Sequence, residues 1–162
     1  MIQFSEDALS RYNKILSHYP EKRAAVIPVL ALAQREFGWI SQEVADYVGD
    51  LMGYPPSDIL SVATFYTLLR KKPVGKYHLE ICRNVSCWLM GATACMNEAE
   101  RVLGVEAQQV TADGMFSWDF TECLASCGTA PAMQVGDRYF ENIKPERIGE
   151  IIERLRNEAA NK

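Results

Sequence analysis

Five cysteines are the residues of this chain whose type and spacing could do chemistry. Cys82 and Cys87 enclose the four residues RNVS, Cys123 and Cys127 enclose LAS, and thirty-five residues separate the two pairs. Two close pairs at the ends of neighbouring elements can converge on one point and present four soft thiolates. Such a set suits iron in an iron-sulfur cluster and tetrahedral zinc alike. The spacing leaves both open.

A [2Fe-2S] core asks more of its surroundings than zinc does. Its formal charge of about +2 becomes −2 with four thiolates and −3 after one electron, so amide donors and controlled solvent access must lower the cost of that charge. Gly91 and Gly128 lie near the pairs, where a missing side chain would let the backbone approach closely. Cys87 is expected to begin a helix, whose unpaired amides would favour its thiolate. Neither pair encloses an aspartate or glutamate, so no carboxylate competes with sulfur there.

The other candidates have plainer readings. Cys95, eight residues after Cys87, falls beside an apolar stripe with Trp88 and Ala99 and reads as a small buried hydrophobe. His18 and His78 are sixty residues apart, and each is expected on a polar surface, His78 on the wet side of a strand. Trp39, Trp118 and Phe120 are expected in the core, and Tyr66 and Tyr77 lack the partners of a catalytic residue. Neither pair is a C-x-x-C redox motif, and there is neither a nucleophile with a local histidine nor a GxGxxG fingerprint. The chain by itself gives no reason to expect an NADH or flavin site.

The elements that must position the cysteines follow from periodicity. In EKRAAVIPVLALAQREF, Val26, Val29, Leu30, Ala33 and Phe37 form a helical stripe that Gly38 stops, although Pro28 should kink that helix or delay its start. Ser41 caps a helix carrying Val44, Ala45, Val48 and Leu51 to Gly53. Pro55-Pro56 opens another with a wide face of Ile59, Val62, Ala63, Phe65, Tyr66 and Leu69, closed by Lys71-Lys72-Pro73.

The pattern changes at Gly75. Tyr77, Leu79 and Ile81 alternate with His78 and Glu80, the period of a strand that delivers Cys82 at its end. From Cys87, Leu89, Ala92, Met96, Ala99 and Leu103 mark one side of a helix. After a turn at Asp113-Gly114, FSWDFTEC leads to the second pair, and PAMQV and RYFENI form a hairpin about Gly136-Asp137. Pro145 opens a closing helix striped by Ile148, Ile151, Ile152 and Leu155. The expected class is α+β, with a helical N-terminal domain at 1–73 and a small α/β domain, helices on a mixed sheet, at 74–162.

Length and charge agree with that reading. A chain of 162 residues is long enough to bury a core without a metal staple. A net charge of −4 with no basic tract argues against a nucleic-acid partner. MIQFSEDALSRYNK lacks the form of a secretory signal, and no run approaches the roughly 18 apolar residues of a membrane span. A soluble, cytoplasmic protein is expected, and there reduced thiols favour metal binding over disulfides.

YPEKRAAVIPVLALAQREFGWIS, VATFYTLLRKKPVGKYHLEIC, SCWLMG, TADGMFS and ECLASCGTAPAMQV stand in the order of one family's signatures. From about Tyr19 to the final helix, the chain resembles the small thioredoxin-like [2Fe-2S] subunit of bacterial respiratory complex I, the NADH:quinone oxidoreductase (NADH dehydrogenase). The resemblance favours iron-sulfur over zinc and matches the cluster ligands to Cys82, Cys87, Cys123 and Cys127, with Cys95 matching none. It implies a helical N-terminal bundle followed by a thioredoxin-like domain, with Pro131 the candidate for that fold's cis proline. It implies a flavoprotein partner carrying FMN, the NADH site and a [4Fe-4S] cluster, within a larger respiratory complex peripheral to the inner membrane. The present cluster would lie near the flavin but off the main path to quinone.

Two positions depart from the family pattern. Ala125 stands in ECLASC where ECLGAC is usual, and Gly136 stands where Asn or Asp is common in the hairpin. Related subunits occur in NAD-dependent hydrogenases and formate dehydrogenases, which is the alternative assignment. A structural zinc module is the alternative from another class.

Overall fold

The computed structural model describes residues 2–160. The chain divides into two compact units, Met1–Pro73 and Val74–Lys162.

The first unit is helical. Helix α1, Glu6–Ser17, starts where the Ser5 hydroxyl accepts the Ala8 N–H at 3.2 Å. A short 3-10 turn, Lys22–Ala25, leads into α2, Val26–Phe37. Pro28 is therefore the third residue of α2, inside the first turn, where its missing N–H costs nothing. Helix α3, Gln42–Met52, is capped by the Ser41 hydroxyl on Val44 N–H at 3.1 Å, and α4 runs Pro56–Phe65. The core gathers Val29, Leu30, Val44, Val48 and Ile59, with Phe4 stacked on Phe37 at 5.6 Å.

The expected α4 face is shorter than the apolar pattern suggests. Tyr66 is already extended, and Phe65 stands 78% exposed. The next segment is bound to α2 by Gln34, whose amide oxygen accepts Arg70 N–H at 2.5 Å and whose amide nitrogen donates to Leu68 O at 3.0 Å. Leu69 is buried all the same, but from a non-helical segment.

The second unit is a four-stranded sheet with helices. Its elements are β1 Tyr77–Cys82, α5 Val85–Leu89, α6 Ala92–Leu103, β2 Phe116–Thr121, β3 Met133–Val135, β4 Arg138–Phe140 and α7 Pro145–Ala160. The strand order is β2-β1-β3-β4, parallel between β1 and β2 and antiparallel elsewhere. Leu79 and Ile81 pack with Cys95, Ala99 and Leu103 of α6 and with Ile148, Ile151, Ile152 and Leu155 of α7. Trp118 is buried in the same core and donates its indole N–H to Val105 O at 2.8 Å. The hairpin turn has a positive φ of 60° at Gly136, its first central residue, as a type II′ turn requires.

Three expectations are corrected here. His78 and Glu80 are buried, because β1 is an inner strand and its second face is also covered. His78 Nδ1 lies 2.8 Å from the hydroxyl of its cross-strand partner Ser117, which also accepts Gly75 N–H at 2.8 Å. The helix expected to run on from Cys87 is two helices, since Gly91 adopts a φ of 96° between α5 and α6. Phe120, expected in the core, is 37% exposed under the Arg83 guanidinium, 4.1 Å from its ring centre.

Candidate metal centre

The parallel register of β1 and β2 decides where the cysteines go. Cys82 pairs with Thr121, so the chain leaves both strands at the same edge with one cysteine pair following each. Cys82 N–H donates to Ala132 O at 3.0 Å, and Arg83 N–H donates to Thr121 O at 2.9 Å. Arg83 and Glu122, which adjoin Cys82 and Cys123, form an ion pair at 2.6 Å between the two departing loops.

Asn84 starts α5 by accepting Val85 N–H at 2.8 Å. Cys87 is thus the third residue of a five-residue helix, not its first. Cys82 and Cys87 are buried beside Ala92, Leu124, Ala130 and Ala132, a small apolar pocket wall. Burial pushes the Cys87 thiol up to about 11, reinforced by its hydrogen bond with Cys82, so the thiolate expected from a helix start is not favoured in the metal-free chain.

Cys123 and Cys127 are exposed on the irregular loop after β2. Cys123 Sγ accepts the Ala125 N–H at 3.3 Å. Ala125 holds φ at 57°, the left-handed region that glycine adopts at least cost. Cys127 begins a 3-10 turn to Thr129, and the Ala130-Pro131 peptide beyond it is cis. Gly91 and Gly128 leave open space beside the pairs, for a Cβ built on either would meet no protein atom within 4 Å.

All five cysteines are free thiols. Cys95 belongs to a different cluster, wholly buried, its thiol 3.8 Å from Ile143 O and pushed by burial to about 11. Among the described residues, no three His, Cys, Asp or Glu side chains form a ready-made site for a metal ion. The donor chemistry nonetheless fits iron-sulfur: two thiol pairs at one sheet edge, an amide already directed at one sulfur, and an apolar wall behind the other pair.

Two features of this region escaped sequence reading. The Arg83–Glu122 pair joins residues thirty-nine apart, and Glu141 accepts hydrogen bonds from the Ser126 and Thr129 hydroxyls on either side of Cys127. Only Asn84 carried a local signal, an N-cap residue before an apolar run. Around α5 the surface is apolar, with Val85, Trp88, Leu89 and Met90 each more than half exposed.

Residues 12–156 match the model of the thioredoxin-like [2Fe-2S] ferredoxin family. The chain belongs to this family. It is 39% identical over 158 residues to the NADH-quinone oxidoreductase E subunit of Rickettsia bellii, covering 96% of this chain and 95% of that one. It is likewise 39% identical over 140 residues to an NADH-quinone oxidoreductase E subunit of Rhizobium meliloti, the one numbered 2, covering 86% and 83%. The family fold is also seen in an NAD+-reducing [NiFe]-hydrogenase, at a TM-score of 0.68 and 22% identity over 79% of this chain and 22% of that one. Among the described residues, no helix is long and apolar enough to cross a membrane.

Proposed function

We propose that this chain is the small electron-carrying subunit of an NADH:quinone oxidoreductase, with Cys82, Cys87, Cys123 and Cys127 holding one [2Fe-2S] cluster. The observation that carries the reading is the β1–β2 register, which sends both cysteine pairs from one edge of the family's sheet. Near end-to-end likeness to the Rickettsia and Rhizobium chains supports the assembly. The likeness to the hydrogenase reaches only the fold.

The cluster supplies one-electron chemistry when bound. This chain's residues do the rest. The alanines and Leu124 keep water from the Cys82–Cys87 side. The Ala125 N–H lowers the cost of negative charge on the Cys123 sulfur, and the Arg83–Glu122 pair holds the two loops together. The partner in this reading is the flavoprotein subunit that carries FMN, the NADH site and a [4Fe-4S] cluster. The protein then sits at the cytoplasmic side of the inner membrane through the assembled complex.

The test is anaerobic purification with iron, sulfide and zinc analysis, followed by visible absorption and low-temperature EPR with and without dithionite. Two irons and two sulfides per chain, with bands bleached by reduction and a one-electron spin signal, are expected. One zinc and no such signal after reconstitution with iron and sulfide would make the four cysteines a structural site.

A further inference from the structure

The turn that carries Cys127 is fastened from outside the cysteine motif. Ser126 precedes Cys127, Thr129 follows it by two residues, and both hydroxyls donate to the same carboxylate oxygen of Glu141. The two hydroxyl oxygens are themselves 3.2 Å apart. Main-chain bonds close the arrangement: Thr129 N–H to Ser126 O at 3.1 Å, and Asn142 N–H, beside Glu141, to Thr129 O at 2.7 Å. Hydrogen bonds to a carboxylate are roughly twice as strong as neutral ones. Those two bonds hold the Glu141 carboxyl below the usual range, so it is ionised at neutral pH.

Cys127 has less support of its own. It is exposed, it lies outside any strand, and its turn is one short 3-10 segment. A loop of this kind orders poorly unless side chains fix it. We infer that Glu141 is a positioning residue for the Cys127 side of the cluster site, and that its fixed negative charge makes the site harder to reduce. The second half rests on the cluster reading above. The first half concerns the metal-free chain as well, because the clamp contains no ligand atom.

Two variants separate position from charge. Glu141→Ala removes the acceptor and the charge, whereas Glu141→Gln keeps an acceptor oxygen and removes only the charge. In the full metal-free chain, amide hydrogen exchange at Thr129 and Asn142 should be about tenfold faster in Glu141→Ala and close to unchanged in Glu141→Gln. The double variant Ser126→Ala/Thr129→Val should match Glu141→Ala while leaving the carboxylate in place. In the reconstituted protein, Glu141→Ala should release iron to a chelator several-fold faster. Glu141→Gln should retain its iron and titrate at a higher midpoint potential at low ionic strength.

Unchanged exchange in both Glu141→Ala and the double variant overturns the clamp. An unshifted midpoint in Glu141→Gln overturns the role of the charge. If the wild-type chain takes up no iron and sulfide, the cluster reading and the charge role fail, while the exchange rates still decide the clamp.

Discussion

The two cysteine pairs are built differently. Cys82 ends a strand with partners on both edges, and Cys87 sits in a capped helix, so backbone hydrogen bonds fix both and side chains bury them. Cys123 and Cys127 lie exposed on a loop whose shape depends on one left-handed alanine and on side-chain bonds to Glu141. One half of the site is thus set by the fold, and the other by a few polar contacts. A site divided in this way has a rigid, dry side and an adaptable, wet side.

The largest effect should come from removing a ligand. Replacing any one of Cys82, Cys87, Cys123 or Cys127 with Ala should abolish the visible cluster spectrum and iron content. Cys95→Ala should leave both intact at a stability cost of about 1 kcal/mol from the small cavity. Loss of iron from a folded Cys95→Ala chain would break the division of the five cysteines.

Thiol labelling should sharpen the contrast. In the metal-free chain near pH 8, Cys123 and Cys127 should react with iodoacetamide at least about tenfold faster than Cys82, Cys87 and Cys95, as followed by peptide mass spectrometry. The Cys87 and Cys95 thiols, raised to about 11, stay protonated there and become thiolates only as the pH climbs toward that value. Equal labelling of the pairs would mean that the buried side opens without metal.

Smaller effects test the loop and the bridge. Ala125→Gly relieves a left-handed conformation that costs an L-residue roughly 1 kcal/mol, offset in part by the greater unfolded-state freedom of glycine. A rise in stability of about 0.5 kcal/mol by denaturant titration is expected, with the Cys123 amide contact retained. Arg83→Ala removes a half-exposed ion pair and should cost less than about 1 kcal/mol. A larger loss would place the join between the loops among the main supports of the second pair.

Much of this was legible in the sequence. Alternation from Tyr77 to Cys82 gave the strand that ends at Cys82, Ser41 and Pro145 marked helix starts, and Gly136 marked a turn. Local signals failed where a distant residue or one dihedral decided the outcome. Leu89, Ala92 and Met96 keep helical spacing straight across Gly91, whose positive φ breaks the helix. The end of α4 is fixed by Gln34, far back in α2, and the Cys127 turn by Glu141, beyond two strands. His78 and Glu80 misled because alternation reports which face is apolar, not whether the other face is wet.

Trp88 gives the Cys87 side of the candidate site a built-in optical readout. It follows Cys87 directly and is 62% exposed, whereas Trp118 is locked in the core by its bond to Val105. Emission from Trp88 should be red-shifted and strongly quenched by a neighbouring iron-sulfur chromophore, while Trp118 reports the state of the sheet. With Trp39 replaced by Phe, loss of a bound cluster and unfolding would show as separate fluorescence changes in a single unlabelled sample.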